Sequence, residues 1–316
     1  MTIQDRGKLK QDAFQDLACC SYDPKKLMLI HAGATIALSL LLALMDFVLD
    51  QQIGGTGGLG GVGARAVLET VQSVLAMGQG IAVLFWQIGY VYTALRISRR
   101  QEVGPGSLLE GFRRFGPVLR LRLLIGLRVL GLGFGGMYLA SLLFSVTPWG
   151  EPVAAAIESG SEALMMAAME ASMVPWLILV VLVEGVLLVP YLYQIRMAEF
   201  ALMEDPRAGA RVAILKSRLL MYKNRWNLFK LDLSFWWFYL LEAVTALVFY
   251  GDLIVELVGV DLGVSGDLLL FISCAAGLAL QFGLYVWRQG RVLTSYAVFY
   301  EKLVAQLEAQ AAQLQS

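Results

Sequence analysis

Apolar residues along this chain gather into six long runs, at 27–49, 66–95, 118–146, 174–195, 231–250 and 268–287. A helix needs about 20 apolar residues to cross about 30 Å of hydrocarbon, and each run meets that need. Strands of an outer-membrane barrel would alternate in polarity over about ten residues, whereas these runs are continuous and rich in leucine. The pattern predicts an all-α, polytopic membrane helix bundle of six transmembrane helices. Shorter amphipathic stretches precede the odd-numbered runs, at 9–20, 108–119 and 212–226. In the second, Leu108, Leu109, Phe112 and Phe115 recur at helical spacing; in the third, Ile214, Leu215 and Leu219 do.

The even-numbered runs end alike, in aromatic residues followed by arginine: Tyr90 and Tyr92 before Arg96, Tyr191 and Tyr193 before Arg196, Tyr285 and Trp287 before Arg288. Amphipathic rings and snorkelling cations belong at a membrane edge. The unit of amphipathic helix, span and span therefore repeats three times, near 1–95, 96–203 and 204–303, within one transmembrane domain 1–303. A polar, helical C-terminal tail is expected over 304–316.

Charge orients the bundle. Arg6, Lys8, Lys10, Lys25 and Lys26 precede the first run, clusters of Lys and Arg follow the second and fourth, and Arg288, Arg291 and Lys302 follow the sixth. The other side carries Arg65 among Asp46, Asp50, Glu69, Glu151, Glu158, Glu162, Glu170, Asp252, Glu256, Asp261 and Asp267. Basic residues are retained in the cytoplasm, which places both termini inside. The first 26 residues hold no apolar core of a cleavable signal.

Composition narrows the function. The 316 residues are 58% hydrophobic and 16% charged, far from the roughly one quarter charged of a soluble domain. The 25 Lys+Arg balance 25 Asp+Glu, which removes the basicity expected of a nucleic-acid partner. Cys19, Cys20 and Cys274 match no disulfide framework or zinc spacing, and His31, the one histidine, reads as a packed or interfacial residue. Two formal Gly-x-Gly-x-x-Gly matches, at 58–63 and 131–136, do not open a βαβ unit; they read as an outer loop and a helix-packing face. No metal, cofactor or catalytic set is expected, and the chain is read as a non-enzyme.

The segment after the fourth run is the most specific: Glu204-Asp205-Pro206, a helix with Ser217 and Met221, and Trp226-Asn-Leu228-Phe229 leading to Trp236-Trp237. With the ending Tyr296-Ala-Val-Phe-Tyr300, it resembles the bacterial integral membrane family called domain of unknown function 975. Tyr191 follows Pro190 where that family is expected to have Gly. The resemblance implies the membrane-helix fold and a bacterial inner-membrane location, and carries over no catalytic residue.

Charges within a span are costly and mark site candidates. Arg128 lies six residues past Arg122, roughly 9 Å deep, on a face shared with Gly131 and Gly135 that is expected to turn inward. Glu184 and Glu242 each lie twelve residues from a basic edge residue, roughly 18 Å deep and close to the midplane. Arg128, Glu184 and Glu242 thus form a candidate midplane site, or a carboxylate pairs with Arg128 structurally. Arg113, Arg114, Lys216, Arg218, Lys223 and Arg225 are candidate inner-leaflet lipid contacts. Asp232 is expected to be solvated, and 151–172 to form an outer amphipathic helix rich in Ala and Met. The expected function is a non-catalytic component that binds membrane lipids, a hydrophobic ligand or a partner membrane protein. The alternative is a small secondary transporter coupled to protons or cations through the midplane carboxylates. A lipid phosphodiesterase would need clustered His and Asp that a single His does not supply.

Overall fold

The computed structural model describes residues 6–34, 36–37, 45, 60–251 and 266–315. Most of the run 27–49 lies outside the described residues, as do Asp46, Asp50, Asp252, Glu256 and Asp261, and so do the side chains of Arg65, Glu69 and Asp267. Every regular element among the described residues is helical. In chain order they are α1 (Arg6–Ala18), α2 (24–34), α3 (Gly60–Ser98), a 3-10 turn (Pro105–Leu109), α4 (Glu110–Arg113), α5 (Phe115–Ser145) and α6 (Glu151–Ser159). There follow α7 (Glu162–Ile195), α8 (Ala198–Glu204), α9 (Gly209–Met221), α10 (Arg225–Leu233), α11 (Trp236–Phe249) and α12 (Gly266–Gln315).

Among the described residues three stretches are long and apolar enough to cross a membrane: Thr70–Ser98, Phe115–Ser145 and Glu162–Glu204. The pair α10 and α11, bent by 54°, makes a fourth if it is one span. Many of their apolar side chains are uncovered by the protein, Leu127 at 72%, Phe134 at 66% and Val186 at 73% among them. At about 25 cal/mol per Å², so much apolar surface calls for a hydrocarbon solvent rather than water.

Several expected elements differ. The stretch 108–119 is not one amphipathic helix: α4 stops at Arg114, whose φ −103° and ψ 37° are not helical, and Phe115 opens α5. The stretch 212–226 breaks after α9, where Lys223 takes φ +67°. The fifth run begins inside α10 and then turns at Ser234–Phe235. That break is stabilised by side chains: Ser234 Oγ donates to Leu231 O at 2.5 Å, and Lys10 Nζ donates to Ser234 O at 2.8 Å. Asp232 is half-buried and accepts from Tyr296 Oη at 2.6 Å, where solvation was expected. The outer stretch 151–172 is divided too, since Gly160 at φ +63° ends α6 and Glu162 starts α7, which runs unbroken through Pro175 and Pro190. The glycines 60–63, expected in a loop, open α3.

The contacts divide the chain into two compact units, 1–115 with 229–316 and 116–228, a division that does not follow the repeat boundaries. In the first, α12 packs against α1, α3 and α11, while α3 packs on the 3-10 turn and α4. Its core gathers Leu27, Met28, Tyr90, Ile97, Val103 and Leu108. Lys302–Asp12 at 2.6 Å, Arg100–Asp16 at 2.9 Å and Arg99–Glu301 at 2.8 Å tie its polar end together. At 1.5 Å per residue α12 is roughly 75 Å long, so it outruns a bilayer core and the tail 304–315 continues the same helix. In the second unit α7 packs on α6 and α9, and α8 packs on α9. Ser217, fully buried, joins α9 to the end of α7: its Oγ donates to Gln194 O at 2.8 Å and accepts from the Met197 N–H at 3.2 Å.

Candidate functional site

The residues proposed for a midplane site fall in different surroundings. Glu242, in the first unit, is exposed on α11 and pairs with Arg288 of α12, not with Arg128. Arg288 also stacks over Tyr239, 4.7 Å from the ring centroid. Glu184, in the second unit, is half-buried on α7 and lies against Gly133 and Gly136 of α5. Those two glycines form the close face; Gly131 and Gly135, expected to pack, have no atom within 4 Å of where a Cβ would stand. Arg128 is exposed rather than turned inward, because α5 turns its 133/136 face to α7 and Arg128 stands towards α9. There it lines a recess of 300 Å³ with Arg211, Arg218, Leu124, Ile214 and Leu215.

The expected lipid contacts are sorted by their partners. Arg113 and Arg114 both pair with Glu110, at 3.4 and 3.1 Å. Lys216 pairs with Glu204. With the Gln194 amide oriented to accept, Arg225 donates to it at 2.9 Å. Lys223 is exposed beside the Tyr222 ring. Arg218 alone of the six lines the arginine recess, its Nε shut from solvent and without an acceptor among the described residues.

A larger groove of 560 Å³ runs along the first unit between α1, the start of α2 and α12. Phe14, Leu17, Met28, Phe282, Val286 and Trp287 give it apolar walls, and Asp23, Lys25 and Arg291 stand among the lining residues. The start of α2 lines the groove: Pro24 takes its first position and Asp23 Oδ1 accepts the Lys25 N–H at 2.9 Å. Arg291 is held between rings, 5.5 Å from Phe14 and 5.1 Å from Trp287. Gly283 and Gly290 leave room along α12; a Cβ at 290 would come within 3.3 Å of Tyr90 Oη, which is buried without a partner among the described residues. Beside it, buried His31 packs 5.7 Å from the ring centroids of Trp86, Tyr90 and Tyr285, with Nδ1 3.0 Å from Tyr285 Oη. His31 is thus a packed residue. Among the described residues no three His, Cys, Asp or Glu side chains gather as a ligand set for a metal.

The groove's pairing of an aromatic wall with a cation could have been read from Trp287 and Arg291, one helical turn apart at the end of the sixth apolar run, but its other wall, α1, carried no sign of where it docks. A protein whose described elements are all helical, with several apolar, membrane-length helices and an amphiphilic groove, is the class these features define. More particularly, the chain belongs to the family described as Protein of unknown function (DUF975), whose model matches residues 25–307. No curated protein and no solved structure matches it.

Proposed function

We propose that the chain is a non-catalytic, six-span inner-membrane protein, built as three repeats with both termini cytoplasmic, that holds an amphiphilic ligand in the groove between α1, α2 and α12. The groove carries this reading. Its 560 Å³ falls within the range of about 300–1,000 Å³ typical of ligand sites, with apolar walls for a hydrocarbon chain and Lys25 and Arg291 for an acidic or phosphate headgroup. The basic residues beside each even-numbered span support the orientation. The repeat is supported by a shared device, a buried serine after each of two spans: Ser107 Oγ lies 2.8 Å from Thr93 Oγ1, and Ser217 bonds Gln194 and Met197. Glu242 belongs to an exposed ion pair, so we propose no transport role for it.

Gly283 lines the groove with open space where its Cβ would be, so Gly283→Phe fills the groove without a backbone clash. Native mass spectrometry after release from nanodiscs of bacterial polar lipid should show a discrete amphiphile on the wild type that the folded Gly283→Phe variant lacks. Equal retention by both proteins rejects the groove as the binding site.

A further inference from the structure

The arginine recess has a neighbour. A second recess of 540 Å³ in the same unit is lined by Arg120, Leu123 and residues 208–211, and the two share Leu124 and Arg211. Together they form a cleft between α5 and α9 bearing Arg120, Arg128, Arg211 and Arg218, with no carboxylate among the lining residues.

None of these four arginines makes a hydrogen bond or ion pair within the described residues. Acids are not scarce nearby: Arg122 on the same α5 pairs with Glu199 at 2.9 Å, and Lys216 on the same α9 pairs with Glu204. The cations flanking the cleft are neutralised and those facing it are not. Four like charges converging beside an apolar helix repel one another unless an anion sits among them, and the planar guanidinium fork matches phosphate oxygens.

We propose that this cleft binds the phosphodiester headgroup of an anionic membrane phospholipid. The acyl chains set it apart from a free anion: Leu124 and Leu215 line the cleft, and exposed Leu127 and Leu130 continue its apolar wall along α5. Arg128, rooted in an apolar helix, reaches the headgroup by extending its stem along that wall. The site goes beyond the groove reading; it lies in the other unit and is built of different residues.

The test uses the full chain in nanodiscs of equal parts phosphatidylglycerol and phosphatidylcholine, with native mass spectrometry of the lipids retained. Wild type should retain phosphatidylglycerol preferentially, and Arg128→Gln or Arg218→Gln should each cut that preference about tenfold, the factor one charge-assisted hydrogen bond supplies. Arg113→Gln, which removes an exposed charge already paired with Glu110, should leave it unchanged. If the Gln variants do not fold, the paired Arg128→Lys and Arg218→Lys variant, which keeps the cations and loses the planar fork, should lose part of the preference, and a preference equal to that of wild type overturns the guanidinium site. The site is overturned by a wild type with no preference, whatever the variants do, by folded Gln variants that match wild type, or by complete loss of retained lipid in excess inorganic phosphate, which would make the ligand a free anion.

Discussion

Gly89 offers a sharp test of how the first unit is held together. It lets α3 pass directly against the chain at Leu108: a Cβ there would stand 1.8 Å from Leu108 O, whereas real contacts essentially never fall below 3.0 Å. Gly111 makes the reciprocal approach, 2.0 Å from Phe85 O. In Gly89→Ala two stretches of main chain must part by more than 1 Å, and neither is the yielding end of a side chain. Overpacking of this kind costs about 1–3 kcal/mol, and the same parting strains the contact between Thr93 Oγ1 and Ser107 Oγ, worth about 1 kcal/mol, so the loss should be about 2–4 kcal/mol. Gly80→Ala is the control, since α3 is open at that position. Both substitutions remove the same glycine freedom from the unfolded chain, so their difference isolates the folded contact. Gly80→Ala should be neutral or stabilising by up to about 1 kcal/mol. Reversible unfolding by dodecyl sulfate in mixed micelles, followed by far-ultraviolet circular dichroism, measures both. A Gly89→Ala protein as stable as Gly80→Ala would refute the close approach of α3 to the 3-10 turn.

Two further outcomes are expected. Ser217→Ala strands the Met197 N–H and the Gln194 carbonyl in a fully buried position, so it should destabilise by about 1–3 kcal/mol in the same unfolding assay; a loss below about 0.5 kcal/mol would mean that α9 is not pinned to α7 there. Cys19 is exposed just after α1, so with Cys20 and Cys274 replaced by Ala a membrane-impermeant maleimide should label it in inside-out vesicles alone. Labelling in right-side-out vesicles would invert the proposed orientation.

Hydropathy exposed the long helices plainly, because α3, α5 and α7 each coincide with an apolar run whose length matches a bilayer. It could not find the breaks. Ser234 interrupts the fifth run through a backbone carbonyl taken up by Lys10, a residue 224 positions away, and no local pattern encodes that partner. The azimuth of Arg128 was not legible: two glycine pairs on α5 looked alike, and only the position of α7 selects 133 and 136 over 131 and 135. With that choice made, Arg128 faces α9 and joins Arg211 and Arg218, which the sequence separates from it by more than 80 residues. Glu242 and Arg288 likewise meet only because α11 lies on α12.

The first unit is made of both ends of the chain, closed by Lys302 reaching Asp12 across 290 residues and by α1 lying on α12. During synthesis the ribosome delivers α1, α2 and α3 long before their partner α12 exists, while every residue of the second unit is available in one continuous stretch. The early helices must therefore wait in the membrane with unmatched faces while the middle of the protein completes itself. Loops this long make closure slow, and exposed half-interfaces are what membrane chaperones and quality-control proteases act upon. A premature stop anywhere before α12 would leave the N-terminal helices without that partner, which makes the last sixth of the message decisive for the fate of the first third.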